Sequence, residues 1–138
     1  MIIMSVDLGL ARTGLAVCDK SESFVFPRGV IYERNRENLI EKIEQKAKEE
    51  NAELIVVGYP KNMDGSKGFR AEECETCAKM LEEKSGIKTV LFDERCTTMA
   101  AENLLNLSDT RGKKRKQVID TVAAVIILED FIKLRKIK

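Results

Sequence analysis

The sequence contains no histidine among its 138 residues. This absence excludes a Ser-His-Asp or Cys-His nucleophile, a histidine general base and a zinc site with histidine ligands. Acid–base or metal chemistry in this chain must therefore use carboxylates, lysine, cysteine or tyrosine. Because carboxylate oxygens favour hard cations, Mg²⁺ or Mn²⁺ is the metal to expect.

Aromatic residues and long apolar runs are also scarce. Tryptophan is absent, and two tyrosines and five phenylalanines supply all the aromatic rings, which argues against an extended stacking platform for single-stranded nucleic acid. The longest apolar run, residues 122–128, is far shorter than the roughly 18 residues of a membrane span. With no signal-peptide pattern at the start, we expect a cytoplasmic protein with reduced thiols and no membrane partner.

Four cysteines are present, and two of them, Cys74 and Cys77, form a C-x-x-C pair. A zinc or redox site would need a second pair or the entry turn of a βαβ unit, and neither is visible. We therefore interpret this pair as small apolar side chains on a helix.

Hydrophobic periodicity predicts three strands first and alternating helices and strands afterwards. We expect strands over residues 2–8, 13–19, 25–32, 53–58 and 88–93, and helices over residues 35–50, 69–85, 97–107 and 113–134. The first three strands suggest an antiparallel meander, in which Pro27 marks an edge strand or a bulge. The later β-α-β units require parallel strands covered by helices, so residues 1–138 are expected to form a single α/β domain.

Three acidic positions stand out because of where this pattern places them. Asp7 interrupts an apolar strand near its end, and a buried carboxylate is costly unless it is paired or bound to a metal. Asp93 and Glu94 end the last strand, at the edge where parallel strands open onto ligands. Asp120 shares a helix face with Ala124, a face that must meet the sheet.

Convergence of Asp7, Glu94 and Asp120 would place like charges together, and divalent cations would relieve their repulsion. Two such cations support phosphodiester hydrolysis. Asp93 remains an alternative to Glu94. The structural alternatives are a turn cap for Asp7, a strand-end turn for Asp93 and Glu94, and a solvated helix position for Asp120.

Positive charge is concentrated near the end of the chain. Residues 111–138 hold nine Lys/Arg against three Asp/Glu, a net charge of +6 in a chain whose total is +1. Four of the basic residues fall at a predicted helix N-terminus, where the helix dipole disfavours cations. We therefore expect them to contact a phosphodiester backbone, with a solvated helix start as the structural alternative. They are Lys113, Lys114, Arg115 and Lys116.

Further substrate contacts are expected from three connections. A turn with two glycines carries Arg12 at its tip, suited to clamp a phosphate. The loop over residues 59–68 is long for a plain connection between a strand and a helix, which favours contact with a ligand. Hairpin and connecting roles remain the alternatives. Asn62, Gly65 and Ser66 are the expected contacts in the loop over residues 59–68. The third connection follows the last predicted strand: Arg95 is expected to hold the backbone, and Thr97 and Thr98, at the start of a predicted helix, to cap that helix and donate to a phosphate.

The chain resembles the YqgF/RuvX family of Holliday junction resolvases and pre-16S rRNA nucleases. The matching segments are DLGLARTGLAVCD at 7–19, VVGYPKNMDGSKG at 56–68, FDERCTT at 92–98 and KKRKQVIDTVAAVIILEDFI at 113–132. The resemblance implies a ribonuclease H-like fold with a five-stranded mixed sheet flanked by helices. It also implies an Mg²⁺- or Mn²⁺-dependent nuclease acting on structured nucleic acid, either in ribosomal RNA processing or in DNA recombination. The family's acidic positions fall on Asp7, Glu94 and Asp120.

Two other functions remain open at this point. The same basic cluster would serve a nucleic-acid-binding factor without catalysis, active in rRNA maturation or transcription. An actin- or hexokinase-like phosphate-binding fold also opens with D-x-G, but it clamps its nucleotide between two domains. A resolvase acting on a symmetric junction would be a homodimer, whereas an RNA-processing enzyme can be a monomer.

Overall fold

A computed structural model describes residues 1–9, 12–59, 69–93 and 112–137, of which residues 59, 69–71, 93, 112–121, 136 and 137 are described by their backbone alone. The elements are β1 (Ile3–Asp7), β2 (Arg12–Cys18), β3 (Val25–Tyr32), α1 (Arg36–Glu49), β4 (Leu54–Tyr59), α2 (Phe69–Ser85), β5 (Lys88–Asp93) and α3 (Gly112–Ile137). The expected elements are confirmed to within a few residues, except the helix over 97–107, which lies outside the described residues.

The five strands form one mixed sheet in the order β3-β2-β1-β4-β5. β1 pairs antiparallel with β2, and β2 pairs antiparallel with β3, whereas β4 runs parallel to both β1 and β5. The meander and the later parallel strands are thus both confirmed. Pro27 lies on the edge strand β3 and next to a register shift opposite Gly14 and Ala16. The expectation that it marks an edge strand or a bulge is therefore confirmed in both respects.

Strand alternation divides the core into two layers. Met4, Val6 and Leu8 pack with α1 and α2 on one side of the sheet. Ile3 packs with α3 on the other side, and the same alternation places Ser5 and Asp7 on the α3 side. A core on both faces explains why β1 and β4 are apolar on both sides, as parallel strands covered by helices are.

The first layer holds the C-x-x-C pair as side chains of the core. Cys74 and Cys77 are buried in the cluster formed by α1, α2 and the sheet. Burial raises the pKa of the Cys77 thiol, which keeps this group protonated and apolar. The interpretation of the pair as small apolar side chains is confirmed. Gly86 closes α2 at a φ of +73°, and its N–H donates to the Glu82 carbonyl at 2.9 Å.

Helix α3 is fixed to the sheet at two points. The buried Ser5 hydroxyl donates to the Ala124 carbonyl at 2.6 Å. Eleven residues further along, Arg135 pairs with Glu22 at 3.2 Å, and Glu22 also pairs with the Met1 amino group at 3.1 Å. The helix therefore runs antiparallel to β1, with its N-terminal half over the carboxyl end of that strand.

The turn that carries Glu22 is held by Asp19. Its Oδ1 accepts from the backbone N–H groups of Ser23 at 2.8 Å and Phe24 at 3.0 Å, and its Oδ2 accepts from the Ser21 hydroxyl. These hydrogen bonds lower the pKa of Asp19 to about 2, and the one from the Phe24 N–H has the largest effect. Among the described residues, no helix is long and apolar enough to cross a membrane.

Replacing Ser5 by alanine will lower the free energy of unfolding by about 1 kcal/mol, because it removes a buried hydrogen bond between β1 and α3. Urea denaturation followed by circular dichroism measures the change. The exposed Ser23→Ala serves as the control and is expected to change stability by less than about 0.5 kcal/mol. Equal stability of Ser5→Ala and the parent would show that the hydroxyl does not anchor the helix.

Replacing Asp19 by asparagine will destabilise the protein at neutral pH but not in strong acid. Because the folded pKa of Asp19 lies below the 3.8 of an unperturbed aspartate, its charge stabilises the fold above about pH 4. That stability is lost as the pH falls towards about 2. Urea midpoints of parent and variant should therefore converge over this interval, and a difference that is constant with pH would contradict the assignment.

Candidate active site

One edge of the sheet holds Asp7 and Asp93, two of the acidic positions singled out in the sequence. Because β1, β4 and β5 are parallel, their carboxyl ends, at Asp7, Tyr59 and Asp93, lie at the same edge. Tyr59 and Asp93 are partners in register across β4 and β5. Glu94 follows directly but lies outside the described residues, so the choice between Asp93 and Glu94 stays a prediction.

Asp7 is the half-buried acidic residue at the centre of this edge. It ends a strand whose other residues are buried, and its register partner across the sheet is Gly14. A carboxylate here is partly shielded from water, which strengthens its interaction with any nearby charge. Strand alternation places it on the α3 side of β1, the side that its convergence with Asp120 requires.

Asp120 lies on α3 at the level of Asp7. Ser5 and Ala124 mark the contact between strand and helix, and Asp120 precedes Ala124 by one helical turn, about 6 Å. Asp7 follows Ser5 by two strand residues, about 7 Å, in the same direction. The backbones of Asp7 and Asp120 are therefore brought to a common level on facing elements.

The β1–β2 hairpin borders the same site. A Cβ atom on Gly9 would overlap the backbone carbonyl oxygen of Arg12, so the chain can pass this point only without a side chain. Arg12 differs in one respect from its expected place: it is the first residue of β2 rather than the tip of the turn. The strand takes up Arg12 because its backbone pairs with Tyr32 on β3.

The basic cluster lies in the first turns of α3, as expected. This helix begins at Gly112 and carries no acidic residue in its first turn. Its backbone extends beyond the level of Asp120, and so beyond the carboxyl edge of the sheet. The cluster consists of Lys113, Lys114, Arg115 and Lys116.

The remaining expected contacts cannot be placed. They all lie in the segments over residues 60–68 and 94–111, outside the described residues, and their roles stay predictions. They are Asn62, Gly65, Ser66, Arg95, Thr97 and Thr98.

The donor chemistry of the site suits a hard divalent cation. The expected donors are carboxylates alone, and Asp7 is half-buried at the end of β1, where a cation would offset part of its desolvation. Within the residues whose side chains are described, no three Asp, Glu or Cys side chains form a metal-binding group. Glu94 and the Asp120 carboxylate fall outside that set, so the expected ligand group is not tested by it.

Tyr32 is a residue at this edge that the sequence pattern did not single out. It ends β3, pairs in register with Arg12 and exposes 54% of its surface. The available signal was its place at the end of a predicted strand. Its pairing with Arg12 depends on the register between β2 and β3, which no local sequence pattern encodes.

Comparison with proteins of known sequence places the chain in a family. The family model described as RuvX, Holliday junction resolvase, matches residues 1–134. A protein of Geobacillus sp. (strain WCH70), named "Putative pre-16S rRNA nuclease", is 40% identical over 136 residues and covers 96% of this chain and 97% of its own. A protein of Bacillus cereus (strain B4264) with the same name is 41% identical over 136 residues, covering 96% and 98%.

Comparison with solved structures identifies the fold. RuvC of T. thermophilus in complex with a Holliday junction substrate superposes with a TM-score of 0.63 at 11% identity, covering 99% of this chain and 96% of that one. The resolvase of Fowlpox virus with Holliday junction DNA gives a TM-score of 0.61 at 13% identity, covering 98% and 99%. The ribonuclease H-like fold is thus confirmed, and by its family match and its relatives this chain belongs to the RuvX family.

Proposed function

We propose that this protein is a divalent-metal-dependent endonuclease that hydrolyses phosphodiester bonds in structured nucleic acid. The observation that carries the proposal is the common level of Asp7 and Asp120 on β1 and α3. Membership of the RuvX family and the names of its 40%-identical relatives support a hydrolase acting on nucleic acid. Metal dependence is inferred from the carboxylate-only donor set.

The proposed roles divide between two parts of the site. Asp7, Glu94 and Asp120 would hold Mg²⁺ or Mn²⁺ through carboxylate oxygens. When bound, such an ion supplies an activated water and charge stabilisation at the phosphate. The half-buried position of Asp7 limits the access of bulk water, which strengthens the hold of its carboxylate on a cation.

The basic residues bind the rest of the substrate. Arg12, on the neighbouring strand two residues before the register partner of Asp7, would clamp a phosphate through its planar guanidinium group. The cluster at residues 113–116 would hold the strand beyond the sheet edge, and the polar loops that include Asn62 and Thr97 would complete the contact.

Two substrates fit this chemistry, and the proposal includes both. The curated relatives are named for pre-16S rRNA, which favours processing of the 5′ end of that precursor. The family description favours resolution of Holliday junctions. A junction has two strands to cut and calls for a homodimer, whereas RNA processing is compatible with a monomer. Residues 1–138 are proposed to act as one domain, in the cytoplasm.

Replacement of Asp7 or Asp120 by asparagine will abolish metal-dependent cleavage, with a loss of at least about 100-fold in rate, because each variant removes a charged ligand. The measurement uses a labelled four-way DNA junction and a labelled pre-16S rRNA fragment side by side, each with Mg²⁺, Mn²⁺ or chelator. The preferred substrate distinguishes the two roles.

The matched control is Asp130→Asn, on the same helix but near its other end. It changes the net charge by the same amount and is expected to cleave like the parent. Cleavage by a folded Asp7→Asn, Asp120→Asn double variant at the parental rate would reject the nuclease assignment. Binding without cleavage under every condition would favour the non-catalytic rRNA or transcription factor.

The double variant Lys113→Ala, Lys114→Ala will weaken binding and lower its salt dependence. Each lost phosphate contact reduces the slope of log K against log salt by about 0.7 to 0.9, so the loss of two contacts should reduce it by about 1.4 to 1.8. Fluorescence anisotropy titrations between 50 and 200 mM salt (about a fourfold range) measure this slope. The control is Lys79→Ala, Lys84→Ala, two exposed lysines of α2 on the opposite side of the sheet. Equal slopes for the two variants would contradict a specific role for the cluster.

A further inference from the structure

The exposed aromatic side chains of the described residues lie at different places around the edge strand β3. Phe24, Phe26 and Tyr32 expose 66%, 41% and 54% of their surfaces. Phe24 lies before β3, at the sheet edge that is remote from Asp7. Single exposed rings are ordinary on protein surfaces, so position and neighbours decide whether one has a function.

Phe26 has a structural partner. Its register partner is Val17, which belongs to the α1–α2 layer, so Phe26 faces away from the candidate site. The Arg28 guanidinium lies 5.6 Å from the centre of the Phe26 ring and is itself paired with Glu50 at 2.7 Å. A cation–π contact held by an ion pair accounts for this ring.

Tyr32 occupies the corner of the sheet at the same edge as Asp7. It pairs in register with Arg12, and Arg12 alternates along β2 with Gly14, Ala16 and Cys18, the last two of which pack in the α3 layer. Cross-strand partners share a face, so Tyr32 and Arg12 both lie on the face that carries Asp7. β3 stands two strand spacings from β1, about 10 Å.

The residue between Asp7 and β3 is a glycine. Gly14 pairs with Asp7 on one side and with Val30 on the other, so β2 contributes no side chain between them at that level. The face therefore offers a carboxylate, a guanidinium group and an exposed phenol ring in sequence around one corner. The carboxylate suits a metal ion, the guanidinium group suits a phosphate and the aromatic ring suits a base. Together these three groups suit one nucleotide chain.

We propose that Tyr32 stacks on an unpaired nucleobase of the substrate, next to the phosphate that Arg12 binds. The inference rests on the proposed nuclease function and deepens it, because it requires at least one unstacked base within one or two nucleotides of the cleaved bond. Tyrosine suits this role, since every base has a π-face and stacking is tolerant of sequence. A single ring is enough to contact one unpaired base at a junction or loop. It does not need the extended stacking platform that the composition argues against.

The test is an abasic scan of the substrate. Synthetic RNA hairpins with a single-stranded flank, and DNA versions of the same sequence, carry one abasic site at successive positions around the mapped cut. Binding is measured in chelator, so that no strand is cleaved, for the parent, Tyr32→Ala, Tyr32→Phe and the control Phe24→Ala. Tyr32→Phe keeps the ring and Phe24→Ala removes a ring at the remote edge.

At one position the abasic substitution should weaken binding to the parent and to Tyr32→Phe by about tenfold, and leave binding to Tyr32→Ala unchanged. On the intact oligonucleotide, Tyr32→Ala should bind about tenfold more weakly than the parent, and Phe24→Ala should equal the parent. Equal losses for parent and Tyr32→Ala at every position would overturn the proposal.

A second readout needs no cleavage map. Because the chain has no tryptophan, Tyr32→Trp introduces a single reporter, whose fluorescence should be quenched when the oligonucleotide stacks on it. Phe24→Trp should not be quenched. A parent that binds and cleaves, with an unquenched Trp at position 32, would overturn the Tyr32 assignment alone. A parent that binds neither oligonucleotide would overturn the proposed function, and this inference with it.

Discussion

The packing of α3 against one face of β1 is the contact on which the candidate site depends. The Ser5–Ala124 hydrogen bond sets the axial position of the helix, and the Glu22 ion pairs hold its far end near the start of β1. Residues more than a hundred positions apart are thereby brought to one level. Without this contact, Asp7 and Asp120 would belong to separate elements with no fixed relation.

Much of the fold could be predicted from local patterns. The bounds of β3, α2 and β5 agree with the periodicity, because strand and helix periods differ clearly there and Gly86 ends α2 sharply. The edge position of Pro27 followed from its missing N–H group. The two-sided burial of β1 followed from its nearly continuous apolar sequence.

Less of the site could be predicted, since its geometry depends on contacts between distant segments. The expectation that Asp7 and Asp120 converge needed only the place of Asp7 in an apolar strand and the helical spacing of Asp120 from Ala124. The pairing of Arg12 with Tyr32 needed the register of β2 on β3, and a bulge in β3 shifts that register by one residue between Gly14 and Ala16. A one-residue shift moves a side chain to the opposite face, so pattern alone could not place Tyr32.

The irregular backbone of β3 has a consequence for how copies of this chain can meet. The outer side of an edge strand normally offers N–H and C=O groups to which another strand can add, which promotes aggregation. Here Pro27 lacks an N–H group, and Gly29 adopts a φ of +83° that breaks the regular extended backbone. The free side of β3 is thus a poor template for an added strand. Growth of the sheet from copy to copy is discouraged at this edge.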